Sequence, residues 1–131
     1  MTTIDASAET LSIAEAAERT GLTTHTLRYY ERDGLLLGPV SRTAAGRRAY
    51  GPADLQWIEM INRLRATGMP IREVRAYADL CRMGDGNEAE RLGILHAHRD
   101  RVLAQLSEVT EHLGAINRKI GIYEDRVGTP S

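Results

Sequence analysis

The sequence predicts a mainly α protein: a winged helix-turn-helix head with a helical extension, then a long C-terminal helix forming an antiparallel coiled-coil dimer. Three observations lead there. Two short helix patterns, Ser12 to Thr20 and Thr23 to Asp33, flank a tight turn at Gly21-Leu22. A stretch punctuated by Gly and Pro and rich in arginine follows, from Leu35 to Tyr50. From Leu92 to Tyr123 apolar residues recur at spacings of three and four for nearly five heptads.

Residues 1–10 are small, polar and mildly acidic, and are expected to be a disordered tail. Ser12 and Glu15 stand at the capping-box spacing, where each side chain meets the other residue's amide. Ile13, Ala16 and Ala17 form a narrow stripe of small residues that lets another helix come close. Gly21 permits the turn, Thr23 can cap the next helix, and Gly34 can end it. On that second helix Leu27 and Tyr30 share the side that docks on a core. His25, Arg28, Tyr29 and Arg32 fall at i, i+3, i+4 and i+7 and share the other side. Two guanidiniums, a phenol and an imidazole on one face suit an anionic polymer. An ordinary solvated helix is the competing interpretation. Behind a Gly-containing turn, such a helix is placed to enter the major groove, where Arg reads guanine edges and other groups hold phosphates.

Leu35 to Val40 holds Gly38-Pro39, so any strand there is short; Ser41 to Gly46 is expected to be a loop tip, and Arg47 to Tyr50 a returning strand. This hairpin is a candidate wing, touching phosphate beside the second helix. Gly51-Pro52 opens a helix with Asp54 near its positive end and Trp57, Ile58, Ile61 and Leu64 on its apolar side. Gly68 ends it. Pro70 opens another, with Ile71, Val74, Ala78 and Cys81 in one stripe, which makes Cys81 a packed thiol rather than a redox sensor. The expected organisation is a DNA-binding head over 11–80, a linker over 81–87, a dimerisation coil over 88–126 and a tail over 127–131.

The coil's seam comprises Leu92, Leu95, Arg99, Val102, Leu106, Val109, Leu113, Ile116, Ile120 and Tyr123. At ~1.5 Å per residue the rod spans on the order of 55 Å. A second copy of the chain is the simplest partner. Arg99 favours antiparallel pairing, because a parallel pair would set two Arg99 side chains against each other in the seam. His96, His98 and His112 flank the seam and are expected to be solvated rather than to bind metal.

The formal net charge is -1, so there is no global basic field. Between His25 and Arg48, however, five arginines (Arg28, Arg32, Arg42, Arg47, Arg48) meet only two acids (Glu31, Asp33). Concentrated positive charge of this kind is a nucleic-acid footprint. With Cys81 the sole cysteine, neither an intrachain disulfide nor a cysteine metal cluster can form. No signal peptide or membrane span is evident, which suggests a cytoplasmic protein with no membrane partner. No nucleophile–base spacing or phosphate loop suggests an enzyme, and no cofactor is expected.

Ser12-Ile13 with Ala16-Ala17, Leu27-Arg28-Tyr29-Tyr30-Glu31 with Gly34-Leu35, Gly46-x-Arg48-x-Tyr50, Asp54-Leu55 and Gly68-Met69 together resemble the MerR family of bacterial transcription regulators. The resemblance covers roughly residues 11–80, and the long coil agrees with it. It implies a homodimer that binds a pseudo-palindrome of double-stranded promoter DNA and distorts an over-long spacer, acting on RNA polymerase indirectly. It also implies that Arg28 and Tyr29 touch backbone and base edges, and that Arg48 and Tyr50 hold phosphates from the wing. Thr24 and His25 become candidates for base reading, and Arg32, Arg42 and Arg47 complete the expected DNA-facing set. The family's metal sensors carry cysteines around and beyond the start of the coil; here none lies in or beyond it. The chain most resembles the short aldehyde- and thiol-stress-responsive branch, but Arg63 stands where that branch's sensor cysteine is expected. The alternative is an architectural, excisionase-like DNA-bending protein without transcriptional control.

Overall fold

A computed structural model describes residues 10–128 of the chain, so most of both expected tails, residues 1–9 and 129–131, lies outside the described residues. The described elements, in order, are α1 (Ile13–Thr20), α2 (Thr24–Arg32), β1 (Ser41–Arg42), β2 (Arg48–Ala49), α3 (Pro52–Ala66), α4 (Ile71–Arg82) and α5 (Glu88–Val127). They form two compact units that divide between Ile94 and Leu95.

Local chemistry sets the first helices. The Ser12 hydroxyl accepts from the Glu15 amide at 3.1 Å, and a Glu15 carboxylate oxygen accepts from the Ser12 amide at 2.9 Å, completing the capping box. Gly21 closes α1 in the left-handed conformation, φ 76°, and its amide donates to the Ala17 carbonyl. Thr23 caps α2 through the Thr26 amide at 3.0 Å. Ala16 and Leu27 are fully buried, so the small stripe of α1 receives the apolar side of α2. Pro52 opens α3, and Asp54 folds back to accept from the Gly51 amide at 3.0 Å. Ile58 and Ile61 of α3 and Val74 and Ala78 of α4 complete the core of this unit. Cys81 is only half-buried, less enclosed than the stripe with Val74 and Ala78 implies.

The wing differs from expectation in register. Its first strand is Ser41–Arg42, inside the stretch expected to be the tip, and it pairs antiparallel with Arg48–Ala49, Arg42 opposite Arg48. Residues 35–40 form no strand, yet Leu35, Leu36 and Val40 are buried. The reason lies in hydrogen bonding. Leu35 O accepts from Trp57 Nε1 at 2.8 Å, Gly34 O from Arg82 Nη1 at 2.9 Å, and Asp33 O from Arg75 Nε at 3.2 Å. Arg82 also donates to Leu36 O. With these carbonyls taken by side chains, the segment docks on α3 and α4 instead of joining a ladder.

α4 runs through Arg82, beyond the expected end of the head. The first turns of α5 are joined to the same unit: Asn87 Nδ2 donates to Leu80 O at 2.9 Å, and Arg91 Nε donates to Asn87 Oδ1 at 2.6 Å. In the second unit Leu106, Val109, Leu113, Ile116, Ile120 and Tyr123 are all exposed. Leu92 is exposed on the first turns of α5, whereas Leu95 and Val102 are half-buried. His96 and His112 are exposed as expected, but His98 is buried, with Nδ1 3.4 Å from Arg101 Nη2. A heptad position specifies the side of a rod, not whether a ring there is covered, so the periodicity missed this.

Gly21 offers open space for a Cβ, which isolates the cost of its positive φ. Gly21→Ala is expected to lower unfolding stability by about 1 kcal/mol without changing the denaturant slope, measured by urea denaturation.

Candidate nucleic-acid interface

The solvent face of α2 carries the residues that periodicity placed there. His25, Arg28 and Arg32 are exposed, and Thr24 and Tyr29 are half-buried, while Leu27 and Tyr30 point inward and are buried. The Arg32 guanidinium lies 6.0 Å from the Tyr29 ring centroid, so the phenol supports the cation from one side. This is a helix with one buried edge and one cationic, hydrogen-bonding edge.

The wing adds to that face unevenly. Arg42 and Arg47 are exposed. Arg42 Nη1 donates to Gly46 O at 3.1 Å and the Thr43 amide to Arg47 O at 2.7 Å, which close the short tip between the strands. Arg48 is different. Its Nε donates to Glu31 Oε1 at 2.7 Å, and the side chains of the pair are 24% and 17% exposed. Glu31 Oε2 accepts from the Val40 amide at 3.3 Å. Burial pushes the Glu31 carboxyl up, but the bonds from Arg48 and Val40 and the charges of Arg48 and Arg42 outweigh it and hold the group below the usual glutamate range.

Tyr50, expected to hold a phosphate, is instead a core residue. It is 0% exposed, its amide and carbonyl pair with Leu11 at 2.8 Å each, and its buried hydroxyl has no hydrogen-bond partner among the described residues. Its neighbour Ala49 is buried as well, so the chain enters the core as it leaves the wing. Burial accordingly raises the Tyr50 pKa.

Beside α2 lies a cavity of about 730 Å³ whose lining includes Arg28, Arg32, Arg48, Arg82 and Glu31. The sequence brought Arg28, Arg32 and Arg48 to attention but not Glu31 or Arg82. An acid inside a cationic run was the available signal for Glu31. Nothing local marks Arg82, which reaches this surface from α4. Asp33, at the end of α2, pairs with Arg75, whose hydrogen bond holds the Asp33 carboxyl below its ordinary range.

A helix-turn-helix with a two-stranded wing and arginines on both defines a DNA-binding module. Residues 11–81 match the model of the MerR HTH family regulatory proteins. An uncharacterised HTH-type transcriptional regulator of Haemophilus influenzae is 32% identical over 115 residues, which are 88% of this chain and 84% of that one. The HTH-type transcriptional regulator AdhR of Bacillus subtilis is 41% identical over 93 residues, 71% of this chain and 66% of AdhR. The crystal structure of HiNmlR, a MerR family regulator lacking the sensor domain, bound to promoter DNA, superposes with a TM-score of 0.79 at 32% identity, covering 87% of this chain and 90% of that one. The chain therefore belongs to the MerR family of transcription regulators. Among the described residues no helix is long and apolar enough to cross a membrane.

Two outcomes follow from this geometry. Tyr50→Phe removes an unpartnered buried hydroxyl and is expected to change stability by less than about 1 kcal/mol and leave DNA affinity unchanged, read by thermal melting and gel shift. The folded Glu31 carboxyl titrates below its unfolded value, so its stabilisation is complete above the ordinary glutamate range and lost as pH falls through the folded value. Melting temperatures of the wild type are expected to drop more steeply through that acid window than those of Glu31→Gln.

Proposed function

We propose that this MerR-type regulator binds a pseudo-palindromic promoter element as a homodimer, with α2 in the major groove and the wing on the flanking backbone. The observation that carries it is the exposure of His25, Arg28 and Arg32 on α2 and of Arg42 and Arg47 on the wing, in a chain whose net charge is only -1. Thr24 and His25, near the start of α2, are assigned to base edges. Arg28 and Tyr29 reach edges and backbone, and Arg32, Arg42, Arg47 and Arg48 serve phosphates. That the similar regulator HiNmlR is bound to promoter DNA supports promoter DNA as the partner.

The exposed ladder from Leu106 to Tyr123 supports pairing of two copies through α5. Arg99, on the same seam before that ladder and 62% exposed on its side chain, favours the antiparallel arrangement. A two-fold dimer reads two half-sites, and deforming the base pairs between them is the route by which it acts on RNA polymerase without touching it. A cytoplasmic setting follows from a promoter substrate.

The decisive experiment is binding to a duplex selected by the wild-type chain from a randomised pool, combined with sedimentation. Arg28→Ala is expected to weaken binding about tenfold or more and reduce the salt dependence by about one phosphate contact. Leu113→Asp is expected to yield a monomer that binds far more weakly. A wild type that sediments as a single chain, or that shifts no duplex at low salt, would refute the reading.

A further inference from the structure

The Glu31–Arg48 pair joins two parts of the surface that are far apart in sequence. Glu31 is on α2, between the exposed Arg28 and Arg32. Its two carboxylate oxygens reach both arms of the hairpin: Oε1 takes Arg48 Nε at the start of β2, and Oε2 takes the amide of Val40, immediately before β1. One carboxylate thus fixes the wing against the helix beside it.

The manner of the pairing is informative. Arg48 donates through Nε, and its two Nη groups make no hydrogen bond among the described residues. A guanidinium held at Nε keeps its outer edge free as a fork for a second oxyanion. Arg48 lines the concavity that also has Arg28, Arg32 and Arg82 on its walls, four cations against the single acid Glu31. A space lined in this way suits a phosphate group. An acid placed among these cations lowers the local positive charge, so charge alone gives no reason for it to be there. Orientation does.

We propose that Glu31 is a positioning residue for DNA recognition: it aims the Arg48 fork at a backbone phosphate and sets the wing's distance from α2. This deepens the promoter-binding reading and rests on it. Glu31 does not touch the DNA; it acts through Arg48. A different role predicts the opposite result. If Glu31 merely masked Arg48, its removal would release a cation and strengthen binding to any duplex.

The test is a double-mutant cycle with the full-length chain, using the selected duplex and an unrelated duplex of equal length. Melting temperature is measured in parallel. Arg48→Ala and Glu31→Ala are each expected to weaken binding to the selected duplex about tenfold, and together also about tenfold rather than a hundredfold. Both single variants are expected to flatten the salt dependence by about one phosphate contact. Arg48→Lys, which keeps the charge and loses the fork, is expected to behave like Arg48→Ala. Glu31→Gln repeats the cycle without deleting side-chain volume, should the alanine variant not fold. Additive losses, losses that follow the melting temperature, or tighter binding of the unrelated duplex by either Glu31 variant would overturn the proposal while leaving promoter binding intact. A wild type that binds no duplex would remove the promoter-binding reading and this assignment with it.

Discussion

Four successive backbone carbonyls, from Asp33 to Leu36, accept hydrogen bonds from side chains of α3 and α4. The end of α2 and the path of the segment that follows it depend on that arrangement. Backbone carbonyls that leave water beyond a helix end need donors, and no strand begins until Ser41 to supply them. Arg75, Arg82 and Trp57 supply the donors. In doing so they fix the end of α2 to the rest of the head and seat Leu35 and Leu36 in the core. A buried carbonyl without a donor costs on the order of 1–3 kcal/mol, so these side chains specify the path of the segment as well as stabilise it.

The arginines therefore divide by what holds them. Arg75, Arg82 and Arg91 are bonded to backbone carbonyls or to carboxylate and amide side chains, and serve the fold. Arg28, Arg32 and Arg47 are exposed on α2 and the wing, where the proposed reading puts DNA. Arg48 belongs to both groups through its two edges, and Arg42 bonds one carbonyl of the wing tip while remaining exposed. Composition cannot make this division, because all carry the same charge. It emerges only when the acceptors are placed.

What the sequence revealed followed the range of the interactions involved. Capping at Ser12, Glu15 and Thr23, the turn at Gly21 and the two sides of α2 depend on residues within four positions of each other, and all appear in the structure. The long helix α5 was equally legible, because its apolar spacing repeats. The wing was less so. The carbonyls of residues 33–36 are claimed from α3 and α4, which keeps that segment out of the ladder, and those donors lie 22 to 48 residues away. The burial of Tyr50 is likewise set at long range: the motif marks the residue, but its backbone partner is Leu11, far back in the chain. Glu31 was visible within a quoted run, yet its partner Arg48 stands 17 residues on, across the hairpin.

Trp57 is the only tryptophan in the chain. Its ring stacks on Tyr77 with centroids 5.7 Å apart and planes 6° from parallel, and its indole nitrogen is bonded to the segment that follows α2. The unmodified protein thus carries a native fluorophore at the junction through which α2 meets the body of the head. Emission colour and quenching would register a loosening of that junction with no dye, tag or engineered cysteine, and against no background from a second indole.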